Sequence, residues 1–212
     1  VYCVEPSPVA GHIQALARAN GVEDRVVTLR GRIEDIELPE QVDVLLSVFT
    51  GNLLFTESLM PSLYYARDRY LKPGGAMFPD RARLVFAASE APEQYAKTAA
   101  RYRSTSLGID YSPVADAVAN DWFLMDRGAS APVPITRPIT AVDLDLRRTQ
   151  DDRIKWQASV EVTRDGLIHG LVGWIELRLG ESWLSAAPDA PDIHWHPALL
   201  PLATPLPVRR GQ

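Results

Sequence analysis

The stretch Val42–Pro79, VDVLLSVFTGNLLFTESLMPSLYYARDRYLKPGGAMFP, decides the fold. It opens on an apolar run, Val42 to Leu46, of the kind found in parallel strands covered on both faces. A polar-spiked loop, Ser47 to Thr56, leads to a helix pattern over Glu57 to Leu71. Lys72-Pro73-Gly74-Gly75 is turn chemistry that stops the helix, and Ala76 to Phe78 opens the next strand. Strand, loop, helix, turn and strand make one βαβ unit. In open α/β sheets ligands sit at the loops leaving the strands' carboxyl ends, so Ser47 to Leu59 is the first place to look for chemistry.

Upstream, Val1 to Glu5 reads as another parallel strand that ends in an acid. Ser7-Pro8 is a helix start, and Val9, Ile13, Leu16 and Ala17 follow at helical spacing. Asn20-Gly21 ends that helix, Arg25 to Leu29 is the next strand, and Gly31 to Asp35 is a loop. Strand and helix alternate over the first 80 residues, which implies parallel pairing with right-handed crossovers. The chain opens on Val1, not methionine, and inside a strand pattern, so an upstream segment is expected.

Downstream the period changes. Ala82 to Ala88 is a strand, Ala91 to Tyr102 is helical, and Gly108 to Trp122 is mixed. The prolines at 132, 134 and 138 exclude a helix there. From Ile139 onward β-type alternation dominates in TAVDLDL, KWQASVEVT, LIHGLVGWIELRL and PLPVRR. Asp165-Gly166 signals a hairpin between two of these runs. The second half is therefore an antiparallel sandwich or barrel, with Trp156, Trp174 and Trp183 as core.

The 212 residues are 46% hydrophobic and 23% charged, an ordinary globular balance. No apolar run approaches the roughly 18–20 residues of a membrane helix, so no membrane partner is expected. A net charge of −5 argues against nucleic acid, which needs a basic surface. The single cysteine, Cys3, excludes an internal disulfide framework and points to a reducing, cytoplasmic setting. Its apolar neighbours make it an inert thiol.

Several side chains carry chemistry. Glu5, at a strand end, is either a solvated acid or an acceptor for ribose hydroxyls. Glu34 can accept from an adenine amino group while Ile33 covers the ring. Glu57, at the start of the helix pattern, either complements free helix N–H groups or projects into a cleft to bind a cation. His194 and His196 lack further metal-type ligands around them, so no metal is expected. His12 falls on a helix surface, and His169, within a strand, is structural.

In order along the chain, VEPSPVAGHIQALARANGVEDRVVTLRGRIEDIELPEQVDVLLS, GNLLFTESLMPSLYYARDRYLKPGGAMFPDRARL, IHGLVGWIEL and HWHPALLPLATPLPV closely resemble the protein arginine methyltransferase family. The ARDRYLKPGG–FPDRA stretch and the HW followed by PLPV are the strongest parts. The resemblance implies a Rossmann-like class I methyltransferase domain for S-adenosylmethionine over 1–80, followed by an antiparallel β-barrel-like domain over 81–212. It also implies a dimerisation arm at about 95–127 that includes Leu107-Gly108-Ile109-Asp110, and hence a homodimer. Glu5 is then assigned to the cofactor ribose, and Ile33 with Glu34 to the adenine.

Glu57 matches the second of two family glutamates that grip the substrate guanidinium, and His194-Trp195 match the end of a threonine-histidine-tryptophan motif that closes the pocket. Carboxylates bind a guanidinium through bidentate hydrogen bonds and aim one nitrogen at the methyl donor. The match departs at Val48, where the family has its first glutamate, at Phe49 and Thr50, where it has tryptophan and methionine, and at Ile193, where it has threonine. The family's glycine-rich cofactor loop would precede Val1, and its last barrel strands would follow Gln212. The expected activity is S-adenosylmethionine-dependent methylation of an arginine-containing protein, with Glu57 orienting the acceptor and His194 holding the pocket or taking the proton. Val48 removes half the clamp's charge, which leaves two alternatives: an acceptor that is a guanidine-type or other small molecule, or a silent homologue that serves as a binding or dimer-partner module.

Overall fold

A computed structural model describes residues 1–125 and 131–212. It divides into two compact units: Val1–Phe49 with Leu59–Phe78, and Thr50–Ser58 with Pro79–Gln212.

The first unit begins with strand β1 (Tyr2–Glu5), helix α1 (Ala10–Ala19) and strand β2 (Val27–Arg30), and β1 pairs in parallel with β2. The chain turns at Ser7, whose Oγ accepts from the Val9 N–H at 3.2 Å, but regular helix starts only at Ala10. Ala10 and Ala17 are buried, while Val9 and Leu16 of the expected apolar face are exposed. Asn20 caps the helix and Gly21 follows in the left-handed region at φ 64°, where glycine costs nothing.

The deciding stretch folds as strand β3 (Val42–Leu46), helix α2 (Met60–Tyr70) and strand β4 (Leu71–Phe78), with β3 and β4 parallel. Three expectations change. Among the described strands β3 hydrogen-bonds β4 alone, so it is not covered on both faces: Val44 is 54% and Leu46 76% exposed. The Lys72–Gly75 turn chemistry does not separate helix from strand, because α2 ends at Tyr70 and β4 begins at Leu71. It forms a bulge inside β4, where the register jumps from Val42↔Leu71 to Val44↔Ala76 and Gly74 takes φ 79°. And α2 starts three residues later than Glu57, because Ser58 reverses the chain at φ 55° and Pro61 presets the first turn.

The second unit is built on an antiparallel sheet. Strand β5 (Arg81–Glu90) is followed by short helix α3 (Pro92–Lys97), a two-stranded hairpin of β6 (Thr105–Ser106) and β7 (Ile109–Asp110), helix α4 (Ala115–Ala119) and short strands β8 (Phe123–Leu124) and β9 (Val133–Pro134). Then come β10 (Ile139–Asp145), β11 (Gly166–Leu179), β12 (Ser182–Ser185) and β13 (Ala198–Val208). The strand order is β10-β5-β11-β13-β8, with β12 on β11 and β9 on β5. The helix expected over Ala91–Tyr102 breaks at Thr98 and resumes as a 3-10 turn, Ala100–Arg103. The expected arm, 95–127, runs into residues 126 and 127, which lie outside the described residues.

The KWQASVEVT segment is not a strand. Only Val162 makes a bridge, to Thr136, and residues 151–161 are exposed without regular structure. With no strand before it, Asp165-Gly166 makes no hairpin. The Asp165 carboxylate instead accepts from the Arg210 N–H at 2.8 Å and ties the start of β11 to the chain after β13. Of the three tryptophans expected in the core, Trp174 is buried. Trp156 and Trp183 are each 39% exposed, the former stacked on Phe86 and the latter under the Arg83 guanidinium at 4.1 Å. His169 is structural: its Nδ1 accepts from the Ala91 N–H and its ring meets Tyr95 edge-on.

Candidate functional site

In the first unit, the carboxyl ends of the parallel strands β1 and β2 carry Glu5 and the Gly31–Asp35 loop. Glu5 accepts from the Ser7 N–H at 2.8 Å. The Ser7 hydroxyl and amide hold its carboxyl below the usual glutamate range, so it is ionised at neutral pH. Glu34 accepts from the Ser62 hydroxyl of α2 and, at 3.4 Å, from Arg32 Nε. The Ser62 hydrogen bond is the main cause of its lowered pKa. Ile33 is half-buried beside it. Two ionised acceptors and an apolar side chain on adjoining strand ends suit a nucleoside, which presents hydroxyl and amino donors around a flat apolar ring. The roles of Ser7 and Ser62 were not legible in the sequence; small hydroxyl residues are common at loop and helix starts, so nothing singles these two out.

Val48, also in this unit, is 71% exposed, and the Phe49 that follows is buried to 2%.

In the second unit, the loop Thr50–Ser58 carries Glu57. Its backbone is strained, with Leu54 and Ser58 at φ 60° and 55°, conformations that non-glycine residues hold only when their surroundings fix them. Leu54 is fixed by burial, at 1% exposure, and by the Thr50 hydroxyl, whose oxygen lies 2.9 Å from the Leu54 carbonyl. Glu57 itself is exposed and folds back over Gly51: a Cβ at Gly51 would stand 3.2 Å from Glu57 Oε1 and 2.2 Å from Thr56 Oγ1.

The same unit joins this loop to the His194-Trp195-His196 segment. Trp195 Nε1–H donates to the Thr50 carbonyl at 2.8 Å, and the His196 N–H donates to Asn52 Oδ1 at 2.6 Å. These bonds connect residues 144 and 145 apart in sequence. His194 is exposed, its ring edge-on to Trp195 at 5.4 Å. Thus the structure brings the Glu57 loop and His194-Trp195 together through Thr50 and Asn52, neither of which the sequence singles out as a binding residue. Among the described residues no group of three or more His, Cys, Asp or Glu is placed to share a metal ion.

Parallel βαβ elements followed by an antiparallel sheet fit one class of architecture: a Rossmann-like domain followed by a β-barrel-like domain. Solved structures bear this out. The chain superposes on Arabidopsis thaliana protein arginine methyltransferase 10, solved in a uniquely open conformation, with a TM-score of 0.80 and 25% identity over 99% of this chain and 69% of that one. It has the same fold as a chain of the Trypanosoma brucei PRMT1 enzyme-prozyme heterotetrameric complex with AdoHcy, at a TM-score of 0.88 and 24% identity over 100% of this chain and 68% of that one.

Residues 80–212 match the arginine methyltransferase oligomerization subdomain. Protein arginine N-methyltransferase 8-B of Danio rerio is 30% identical over all of this chain and 52% of its own length; histone-arginine methyltransferase CARMER of Anopheles gambiae is 31% identical over all of this chain and 36% of its own. The chain belongs to the protein arginine methyltransferase family. It spans between about a third and a half of the length of these curated relatives.

Proposed function

We propose that the protein transfers a methyl group from S-adenosylmethionine to a guanidine nitrogen of arginine in a protein or peptide. The observation that carries this reading is the double hydrogen-bonded junction of the Glu57 loop with His194-Trp195. It ties the loop that carries an exposed carboxylate to an aromatic segment, in a family whose named relatives are protein and histone arginine methyltransferases. None of those names supports a small guanidine acceptor.

S-adenosylmethionine, when bound, supplies a methyl group activated by its sulfonium. Glu5, with Ile33 and Glu34, would hold its ribose and adenine, a role supported by the ionised state of both carboxylates. The Glu57 carboxylate would accept two N–H bonds of the acceptor guanidinium and fix its plane. His194, exposed beside Trp195, takes up the proton released on transfer or holds the pocket edge. By the resemblance, Val48 stands where the family has its first glutamate, so the clamp would rest on one carboxylate. In the full protein, Glu57→Gln should abolish transfer of labelled methyl to an arginine peptide, and unchanged turnover would refute the role.

We assign residues 1–80 to cofactor binding, residues 81–212 to the barrel, and residues about 95–127 to the contact of a homodimer in the cytoplasm. The hairpin tip supports the dimer contact: Leu107 is 96% and Ile109 55% exposed within the matched oligomerization subdomain. A second reading, a silent subunit, is favoured by Val48 alone. Binding of S-adenosylmethionine measured by calorimetry, with no turnover on any arginine peptide, would support it.

A further inference from the structure

One face of the second unit's sheet holds a cavity of about 430 Å³, well inside the size range of ligand pockets. Its floor is Leu84 and Phe86 of β5 with Val142 of β10. Its sides are Phe55 from the Glu57 loop and Ile154 and Trp156 from the irregular segment after β10. The floor is rigid. Phe86 lies flat on the backbone of Gly173, where a Cβ would stand 2.4 Å from its ring, and it stacks on Trp156 at 5.9 Å and 25°. Trp156 and Ile154 are 39% and 37% exposed, so the apolar surface continues to the mouth. The only charges on the lining are Asp152 and Arg153, which pair with each other at 3.9 Å and leave no net charge to select an ion. The lining therefore suits an uncharged apolar group.

The position of Phe55 says what group that is. It lies two residues before Glu57 in the same loop, so their Cα atoms are no more than about 7 Å apart. A polypeptide whose arginine reaches Glu57 has its neighbouring residues within reach of the cavity.

We propose that this cavity is a subsite for an apolar or aromatic side chain of the acceptor polypeptide, a few residues from the modified arginine, and that it sets a sequence preference. The proposal rests on the methyl-transfer reading above. The walls of the pocket come from a loop, a sheet and a segment far apart in sequence.

The test uses the full protein and fluorescently labelled peptides in which lysine replaces the arginine, with glycine at every flanking position or phenylalanine at one position in turn. Anisotropy titration should show that phenylalanine at one position tightens binding about tenfold over glycine, the gain expected from burying part of one aromatic side chain. Ala141→Phe, which fills the cavity, and Trp156→Ala, which removes an exposed wall, should each bring that ratio to about one. Ratios near one at every position in the unaltered protein, or a preference that both variants keep, would overturn the subsite. The corresponding arginine peptides give turnover separately. Failure to methylate any of them removes the activity reading, while the lysine-peptide ratios still decide the cavity.

Discussion

Adding one methyl group at Gly51 is the sharpest test of the Glu57 loop. Gly51 has a backbone conformation open to any residue, so alanine brings no conformational penalty of its own. Its Cβ would stand 2.2 Å from Thr56 Oγ1, 3.0 Å from Glu57 Cγ and 3.2 Å from Glu57 Oε1. The Thr56 hydroxyl must retreat to an ordinary contact of 3.4 Å or more, and Glu57 must yield by several tenths of an ångström. Thr56 is β-branched and its Oγ1 lies one bond from Cβ, so the clash is relieved only by a χ1 rotation or a small backbone shift, at about 1–3 kcal/mol, or roughly 2–12 °C in Tm for a chain of this size. An orienting group displaced by a fraction of an ångström to an ångström lowers the rate by up to about 100-fold. Gly51→Ala is therefore expected to stay folded at room temperature, with its Tm lowered by roughly 2–12 °C, while kcat/KM measured there on an arginine peptide falls by up to about 100-fold. Removing the closest clash with Thr56→Ala should restore part of the rate. Full activity in a stable Gly51→Ala variant would refute the claim that Glu57, in this pose, orients the acceptor.

Other expectations follow the same geometry. Trp195→Phe strips the donor from the Thr50 carbonyl, and Asn52→Ala strips the acceptor from the His196 N–H. Each should cost about 1 kcal/mol in urea unfolding, and the double variant should cost less than the sum, since both bonds hold one junction. Gly170→Ala would put a Cβ 2.4 Å from the Leu200 carbonyl oxygen and 3.0 Å from Pro201 Cα, at the irregular register of β11 and β13. Backbone cannot swing aside as a side chain does, so thermal denaturation should show a loss of about 2–3 kcal/mol. Arg178 donates to both oxygens of Asp80, at 2.8 and 2.7 Å, and this lowers the Asp80 carboxyl below the usual aspartate range. The ionised form is thus the folded state's preferred one. Its contribution is complete above the unfolded value near pH 4 and is lost as pH falls through the lower folded value. Urea midpoints measured from pH 6 to pH 2 should fall more steeply for the unaltered protein than for Asp80→Asn.

Local patterns made much of this legible. The βαβ reading of Val42–Pro79 was sound in kind, because strand, helix and turn residues there agree over short range. Its details failed where tertiary context decided them. Val44 and Leu46 read as buried by hydropathy, but burial depends on neighbours that hydropathy does not specify. Glu57 read as a helix-start acid, but Ser58 and Pro61 moved the start. KWQASVEVT alternates like a strand yet finds no strand partner, and an unpaired strand leaves its backbone groups unsatisfied. The family resemblance pointed to Glu57 and His194-Trp195; it could not show that Thr50, a departure from the family pattern, supplies the carbonyl that Trp195 holds.

By itself, then, the order of residues determined the succession of strands and helices over the first 80 residues, the change from parallel to antiparallel pairing near residue 80, and the family. Those rest on periodicity and turn chemistry that act over a few residues. Tertiary structure alone decided which loop meets which, through the Trp195–Thr50 and His196–Asn52 bonds, and that Phe55, Phe86 and Trp156 line one open pocket. The physical reason is that a hydrogen bond or a ring contact between residues 70 to 145 apart leaves no periodic trace in the intervening chain.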